Sequence, residues 1–286
     1  MKKKNILVAL LFIKSAALFC HKVDYEKVIT IAHEAGTEIL KIYNNASEME
    51  IQIKDDNSPL TKADMAAHNH IAQELLKLTP SIPLVSEEGK RGNPLASEYV
   101  WLVDPLDGTK EFIKKNGMFT VNIALMKKNG ARWNPVFGVV YAPVLKKTWI
   151  GGKDFPAEIR NTTGKHPMKV TQKIPFPIRL VASLSHRGKQ DEIFAAAIGP
   201  HTLIRMGSSL KACIVAEGGA ELYPRFGPTS CWDIGAAHAV VEAAGGIIVD
   251  PKGRTLDYDV VDKILNPYFL VACNTQWNKT WIHHQN

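Results

Sequence analysis

Apolar residues recur at helical spacing after Asp24. Val28, Ile31, Ala32, Ala35, Ile39 and Ile42 line one face, Asp24 reads as the N-cap, and Asn44-Asn45 ends the stretch. A polar loop, Lys54-Asp55-Asp56-Asn57-Ser58-Pro59, leads to a second helix from about Lys62 to Leu78 with Ala67, Ile71, Leu75 and Leu78 on its apolar face. Two short apolar runs follow. Ile82 to Val85 stops at Ser86-Glu87-Glu88-Gly89, and Tyr99 to Val103 stops at Asp104-Pro105, so both read as buried strands with acids at their ends. From Phe119 to Trp149 the pattern is β-rich, with a hairpin signal at Asn129-Gly130.

Pro175 and Pro177 mark a linker, after which strands and helices alternate. Strands are expected over Arg179–Ala182, Thr202–Arg205, Ala220–Tyr223 and Gly246–Val249; helices are expected near Lys189–Ile198, from Ser208, and from about Asp233 to Ala244. The fold class is therefore α/β, with an α+β first half (residues 23–177) and an α/β second half (residues 178–286).

Composition and charge narrow the function. A chain of 286 residues, 45% hydrophobic and 22% charged, is ordinary globular protein. The net charge is +7, but Lys2, Lys3, Lys4, Lys14 and Lys22 sit in the first 22 residues, which hold no acid. The rest is close to neutral, which argues against a nucleic-acid partner. Cys20, Cys213, Cys231 and Cys273 show no zinc spacing and read as buried thiols, consistent with a reducing compartment. The apolar run Ile6 to Ile13 is eight residues, short of the about 18 that a bilayer span needs. Residues 1–22 are set apart from the fold as a basic and apolar extension. Ser15-Ala16-Ala17 resembles a signal-peptide cleavage site, but Lys14 falls between it and the apolar core. A peripheral anchor over anionic lipid, on the cytoplasmic face of the inner membrane, is the alternative to export for a cytoplasmic protein. Oligomeric state is not legible.

Candidate chemistry concentrates in Asp104-Pro105-Leu106-Asp107-Gly108-Thr109-Lys110-Glu111-Phe112. A strand delivers Asp104, and proline and glycine force a turn that lets Asp104 and Asp107 point at one spot. Two carboxylates that close repel unless a cation lies between them, and hard oxygen ligands suit Mg²⁺. Two acids alone read equally as a solvated turn with an Asx cap. Glu87 and Glu88 at a second strand end, Asp64 at the opening of a helix, and Asp233 after Trp232 add carboxylates at element ends, although Asp233 also reads as a plain N-cap.

Together, Asp104-Pro105-Leu106-Asp107-Gly108-Thr109 and Trp232-Asp233-Ile234-Gly235-Ala236-Ala237 resemble the paired signatures of the inositol monophosphatase superfamily, lithium-sensitive and magnesium-dependent phosphomonoesterases. Asp56-Asn57-Ser58-Pro59-Leu60-Thr61, the run from Trp101 to Asn116, Gly207-Ser208-Ser209-Leu210-Lys211 and Leu222-Tyr223-Pro224-Arg225-Phe226-Gly227-Pro228-Thr229 bring it closer to the 3'(2'),5'-bisphosphate nucleotidases of bacterial CysQ type. The inositol branch usually has Asn before the Phe of the first signature; here Glu111 stands there.

The resemblance implies a layered αβαβα sandwich with the site between the halves. It implies two or more Mg²⁺ ions held by Glu87, Asp104, the Leu106 carbonyl, Asp107 and Asp233, with Asp64, Thr109 and Glu87 in the catalytic machinery and Li⁺ as an inhibitor. It implies a small nucleotide bisphosphate as partner, contacted by Glu87, Leu106, Asp107, Gly108, Thr109 and Asp233 around the reacting phosphate. His186, Ser208, Lys211 and Arg225 are implied around the nucleoside and its other phosphate. Ser208 and Ser209 would open a helix toward that phosphate; Arg225 also reads as a partner to a surface acid, and His186 alone as a surface histidine. The implied reaction is hydrolysis of adenosine 3',5'-bisphosphate, a by-product of sulfate activation, to AMP and phosphate. The alternatives are the same chemistry on an inositol phosphate or sugar bisphosphate, and a non-catalytic nucleotide- or metal-binding regulator.

Overall fold

The structure is a computed structural model that describes residues 23–45, 51–54, 59–184 and 188–284. Helix α1 (Tyr25–Asn44) starts where Asp24 accepts the Lys27 N–H at 3.1 Å, and buries all six residues of its expected apolar face. Strands β1 (Ile51–Ile53) and β2 (Pro59–Thr61) form a separate antiparallel pair leading into α2 (Lys62–Leu78). Then come β3 (Leu84–Ser86), β4 (Gly89–Arg91), β5 (Tyr99–Asp107), the short α3 (Thr109–Ile113), and β6 (Thr120–Asn129), β7 (Arg132–Ala142), β8 (Lys147–Gly152), β9 (Phe155–Asn161) and β10 (Gly164–Pro167). β3 to β10 make an eight-stranded sheet, β10-β9-β8-β7-β6-β5-β3-β4, antiparallel except where β3 runs parallel to β5. The hairpin at Asn129-Gly130 joins β6 to β7.

Beyond the proline linker lie β11 (Ile178–Ser183), α4 (Lys189–Ala197), β12 (His201–Met206), α5 (Leu210–Ala216), β13 (Leu222–Arg225), α6 (Cys231–Ala243), β14 (Ile247–Val249), β15 (Phe269–Ala272) and α7 (Asn278–His283). The five-stranded sheet β12-β11-β13-β15-β14 is parallel across β12-β11-β13, as alternating strands and helices predict, but β15 runs antiparallel to both neighbours.

The layers follow from the period-two geometry of strands. In β5, Trp101 and Val103 face the core beneath α1 and α2, while Val100 and Leu102 face the core shared with α5 and α6. In β15, Phe269 and Val271 turn to that same central core, while Leu270 and Ala272 turn outward to Phe194 of α4 and Trp281 of α7. Both sheets are covered on both faces, so the strands read as unbroken apolar runs rather than alternating ones. The result is the expected order helix, sheet, helix, sheet, helix. Helix α6 lies against β5 to β8, and the approach is close: a side-chain carbon on Gly138 of β7 would collide with the Ala236 carbonyl.

Two local expectations need correction. Strand β5 does not stop at Asp104 but runs through Pro105 to Asp107, with its pairing to β6 interrupted by a bulge between Asp104 and Asp107. A bulge frees a residue from the ladder, so a proline without an N–H is tolerated there. The turn itself falls at Gly108, whose φ of 95° is open to glycine at no steric cost. Asp233 is not an N-cap: Ser230 is, and Asp233 stands three residues into α6 as the reciprocal half of a capping box. Cys213, Cys231 and Cys273 are free and buried, as expected. The N-terminal extension, Cys20 and His186 lie outside the described residues, among which no helix is long and apolar enough to cross a membrane.

Candidate active site

Asp64 is placed by α2. Thr61 caps this helix, and Asp64 Oδ2 accepts both the Thr61 N–H at 2.8 Å and the Thr61 hydroxyl at 2.6 Å. That leaves Asp64 Oδ1 to accept from the Thr109 hydroxyl at 3.2 Å, 45 residues along the chain. Thr109 Oγ1 also lies 3.4 Å from the Leu106 carbonyl. Asp64 is buried, and desolvation raises its pKa above the ordinary carboxylate value.

Asp104, Asp107 and Asp233 share a pattern. Asp104 Oδ1 accepts the Leu106 N–H at 3.0 Å, Asp107 Oδ2 accepts the Ser209 N–H at 2.7 Å, and Asp233 Oδ2 accepts the Ser230 N–H at 3.0 Å. Each carboxylate commits one oxygen to a backbone donor and keeps its other oxygen without a hydrogen bond among the described residues. With Glu87, these acids line a cavity of about 1140 Å³ between the two sheets. Burial pushes the Asp104 carboxyl well above its usual range, and the negative charges of Glu87, Asp107, Asp233 and Asp64 push it further. Burial, and then the charge of Asp107, lifts Asp233 to about 8. Like charges at such close quarters favour either protons or a bound cation.

Among the described residues no three Asp, Glu, His or Cys side chains are already drawn into a ready-made metal cage. One reason is visible at Glu87. Lys54 Nζ donates to Glu87 Oε1 at 2.8 Å and to Glu88 Oε1 at 2.5 Å, so an internal ammonium occupies this end of the acidic cluster. Burial raises the pKa of Glu87, against the opposing pull of Lys54. Burial alone would lower the Lys54 pKa, but the two carboxylates outweigh it and hold the ammonium above its ordinary value.

The halves are bolted together at this point. Ser209 Oγ donates to the Asp233 carbonyl at 2.5 Å and accepts from Asn122 Nδ2 at 3.0 Å; Thr120 and Ser208 share a hydrogen bond at 2.6 Å between their hydroxyls. The expectation that Ser208 and Ser209 present a helix N-terminus to phosphate is not met. Helix α5 is only seven residues long, Ser208 has a left-handed φ of 54°, and the Ser209 N–H is taken by Asp107. Gly108 lies against this turn: a side chain on it would crowd the Met118 carbonyl and Ser208.

Lys211 and Arg225 line a second recess next to the acids. Lys211 is buried, its Nζ donates to the Ser208 carbonyl at 2.6 Å, and burial lowers its pKa to about 8. Arg225 Nη2 donates to the Pro228 carbonyl at 2.9 Å, whereas Arg225 Nε is buried without a hydrogen-bond partner. A buried guanidinium N–H with no acceptor is costly and awaits one. No acid pairs with Arg225 among the described residues.

The sequence reading gave Lys54 only a part in shaping its polar loop, and it did not single out Thr120 and Asn122. For the last two a signal existed: they are polar residues two apart in an otherwise apolar strand, hence on one face. For Lys54 there was none, since a lysine in a polar loop is commonplace.

The sequence profile of the inositol monophosphatase family matches residues 22–285. The "3'(2'),5'-bisphosphate nucleotidase CysQ" of Salmonella typhimurium is 46% identical over 253 residues, covering 86% of this chain and 98% of its own length. The protein of that name from Escherichia coli K12 is 42% identical with the same coverage. Among solved structures, CysQ from Bacteroides thetaiotaomicron matches with a TM-score of 0.77 and 36% identity, over 89% of this chain and 99% of that one. Extragenic suppressor protein SuhB from Bartonella henselae shares the fold, with a TM-score of 0.78 at 21% identity over 93% of this chain and 99% of that one. With its layers, its acidic cleft and a family match running from residue 22 to residue 285, this chain belongs to the inositol monophosphatase family.

Proposed function

We propose that this protein is a magnesium-dependent phosphomonoesterase that hydrolyses adenosine 3',5'-bisphosphate to AMP and phosphate, clearing a by-product of sulfate activation. The observation that carries the reading is a cleft that pairs opposite chemistries: carboxylates each with an oxygen that has no hydrogen bond among the described residues, and beside them a buried Arg225 Nε without a hydrogen-bond partner in a recess shared with Lys211. A substrate bearing two phosphates answers both. The names of the relatives at 46% and 42% identity support the nucleotide over inositol, as does the buried acid Glu111 where the inositol branch carries Asn.

The all-oxygen donor set fits Mg²⁺, which Glu87, Asp104, the Leu106 carbonyl, Asp107 and Asp233 would hold. Bound there, Mg²⁺ supplies neutralising charge for a phosphoryl group in transfer and acidifies water. The protein's own part is proton handling and grip. Thr109 Oγ1 receives the proton of the attacking water while its own proton passes to Asp64 Oδ1; Asp64, buried and with raised pKa, is the better base for it. Thr61 locks the other Asp64 oxygen, so the carboxylate stays aligned. In the adjoining recess, Lys211 has two N–H donors beyond the one given to Ser208, and Arg225 has Nε, for the second phosphate.

Phosphate release from adenosine 3',5'-bisphosphate and from inositol 1-phosphate, each with Mg²⁺ and with EDTA, tests this. The nucleotide should be preferred and EDTA should abolish release. A preference for the inositol ester would overturn the substrate, and no release from any phosphate ester would favour a binding protein instead.

A further inference from the structure

The cleft has a rim as well as a floor. Lys110, in the first turn of α3, and Lys263, in the segment that leads to β15, both line the same cavity as Asp107 and Asp233. Both are exposed, and neither ammonium has a hydrogen bond or ion pair among the described residues. Exposed lysines that line an acidic cleft, with no carboxylate partner among the described residues, are available to a ligand.

The position of Lys263 is set by its backbone. Asp259 Oδ1 accepts the N–H groups of Val261 at 2.9 Å and Asp262 at 3.0 Å, which fixes the start of the segment. Its end is pinned to the turn before α6: Cys231 N–H donates to the Ile264 carbonyl at 2.7 Å, Asn266 N–H to the Thr229 carbonyl at 2.8 Å, and Asn266 Nδ2 to the Ser230 carbonyl at 2.7 Å. Ile264 packs on the central core, and Asp262, Lys263, Ile264 and Leu265 all line the cavity. Lys110 is fixed by the same Gly108 turn that sets Asp107 and Thr109. The other charges lining this cavity are Lys54 and Arg225 on the positive side and Asp262, Glu111 and the floor carboxylates on the negative side.

A phosphate monoester can reach the floor without touching the rim. A nucleotide with a second phosphate carries more negative charge past the rim on its way in, and the floor carboxylates repel it more strongly on approach. The geometry points to Lys110 and Lys263 as a split cationic rim, one lysine from each sheet's half, that selects nucleotides bearing a second phosphate over monophosphates. This rests on the activity proposed above and adds a determinant separate from Lys211 and Arg225 in the recess. Exposed charges act chiefly through capture, so the effect belongs in KM and in its salt dependence rather than in kcat.

The test compares kcat/KM for adenosine 3',5'-bisphosphate and for 3'-AMP in the full-length, Mg²⁺-loaded protein and its Lys110→Gln, Lys263→Gln and double variants, at low and near-physiological salt. Each substitution should lower kcat/KM for the bisphosphate about threefold at low salt, and the pair about tenfold, as exposed charge pairs do. The loss should lie in KM, should shrink as salt rises, and should reduce the ratio of bisphosphate to monophosphate. Arg at either position should restore it, and the melting temperature should not move. An unchanged ratio, a loss confined to kcat, or failure of Arg to rescue sinks the rim while leaving the activity standing. Wild-type protein inactive on both nucleotides sinks the activity and the rim together.

Discussion

Asp107 joins three roles: it follows the bulge of β5, it holds the Ser209 N–H at 2.7 Å, and its other oxygen is unbonded. Asp107→Asn keeps the size and one acceptor but removes the charge. Turnover at saturating Mg²⁺ is expected to fall by orders of magnitude with the melting temperature little changed. Near-wild-type turnover would remove Asp107 from the site. The buried acids also give the protein a pH signature. Asp233 rises from an ordinary 3.8 to about 8 on folding. A folded-state pKa raised in this way contributes stability that is fully present below the unfolded value and is lost as pH rises through about 8. Protein stripped with EDTA should therefore lose melting temperature between pH 5 and pH 8.5, and Mg²⁺ should flatten that slope by replacing the protons. The residues on the loop before α2 were less legible. The sequence gives Lys54 no role beyond its loop, because its grip on Glu87 and Glu88 exists only once residues 33 and 34 positions away are folded beside it.

At the scale of elements, caps do double duty. The Thr61 hydroxyl accepts the Ala63 N–H at 3.2 Å at the start of α2 and also anchors the carboxylate that orients Thr109. Thr61→Ala should cost about 1 kcal/mol in stability, the usual value of a lost cap. It should also lower kcat by more than the stability loss explains, measured well below the melting transition; intact kcat would mean that Asp64 keeps its alignment without Thr61. Gly138 sets the seat of α6 in a different way. Gly138→Ala places a carbon against the Ala236 carbonyl, so α6 must shift and carry Asp233 with it. Overpacking of this kind costs about 1–3 kcal/mol, and both melting temperature and Mg²⁺ affinity should fall; an unaltered melting temperature would show that the interface yields freely. Helix faces and strand runs were readable from periodicity alone. The passage of β5 through Pro105 was not, because a proline ends a strand unless a bulge removes it from the ladder, and the bulge depends on how β6 pairs.

Among the described residues, the two large sheets meet at the site. The bonds across the seam, Asp107 to Ser209, Asn122 to Ser209 and Thr120 to Ser208, tie the acids of the first half to the turn that carries the second. Ser209→Ala removes the hydroxyl that joins Asn122 to the Asp233 carbonyl while leaving its N–H for Asp107. Stability should drop by about 1–3 kcal/mol, as expected for buried groups left unpaired, and KM for substrate should rise as the two halves lose their register. Denaturant unfolding with and without Mg²⁺ measures the first effect and steady-state kinetics the second; wild-type values in both would mean that the seam is held by packing alone. The layered order was legible because runs apolar on both faces demand cover on both faces. The reversal of β15 was not, since an apolar strand reads the same in either direction.

What the amino-acid order determined alone is whatever acts within a few residues: the Asp24 cap, the helical faces, the need for a glycine turn in the segment that carries Asp104 and Asp107, and the placing of acids at element ends. Periodicity and steric limits operate over one or two turns of chain, so they survive translation into sequence. The tertiary structure decided which acids share a cavity, that Lys54 neutralises Glu87 and Glu88, that the Ser209 N–H is given to Asp107, and that Lys110 and Lys263 line one cavity. Those facts are governed by Coulomb and hydrogen-bond energies, which depend on distance in space and are blind to separation along the chain.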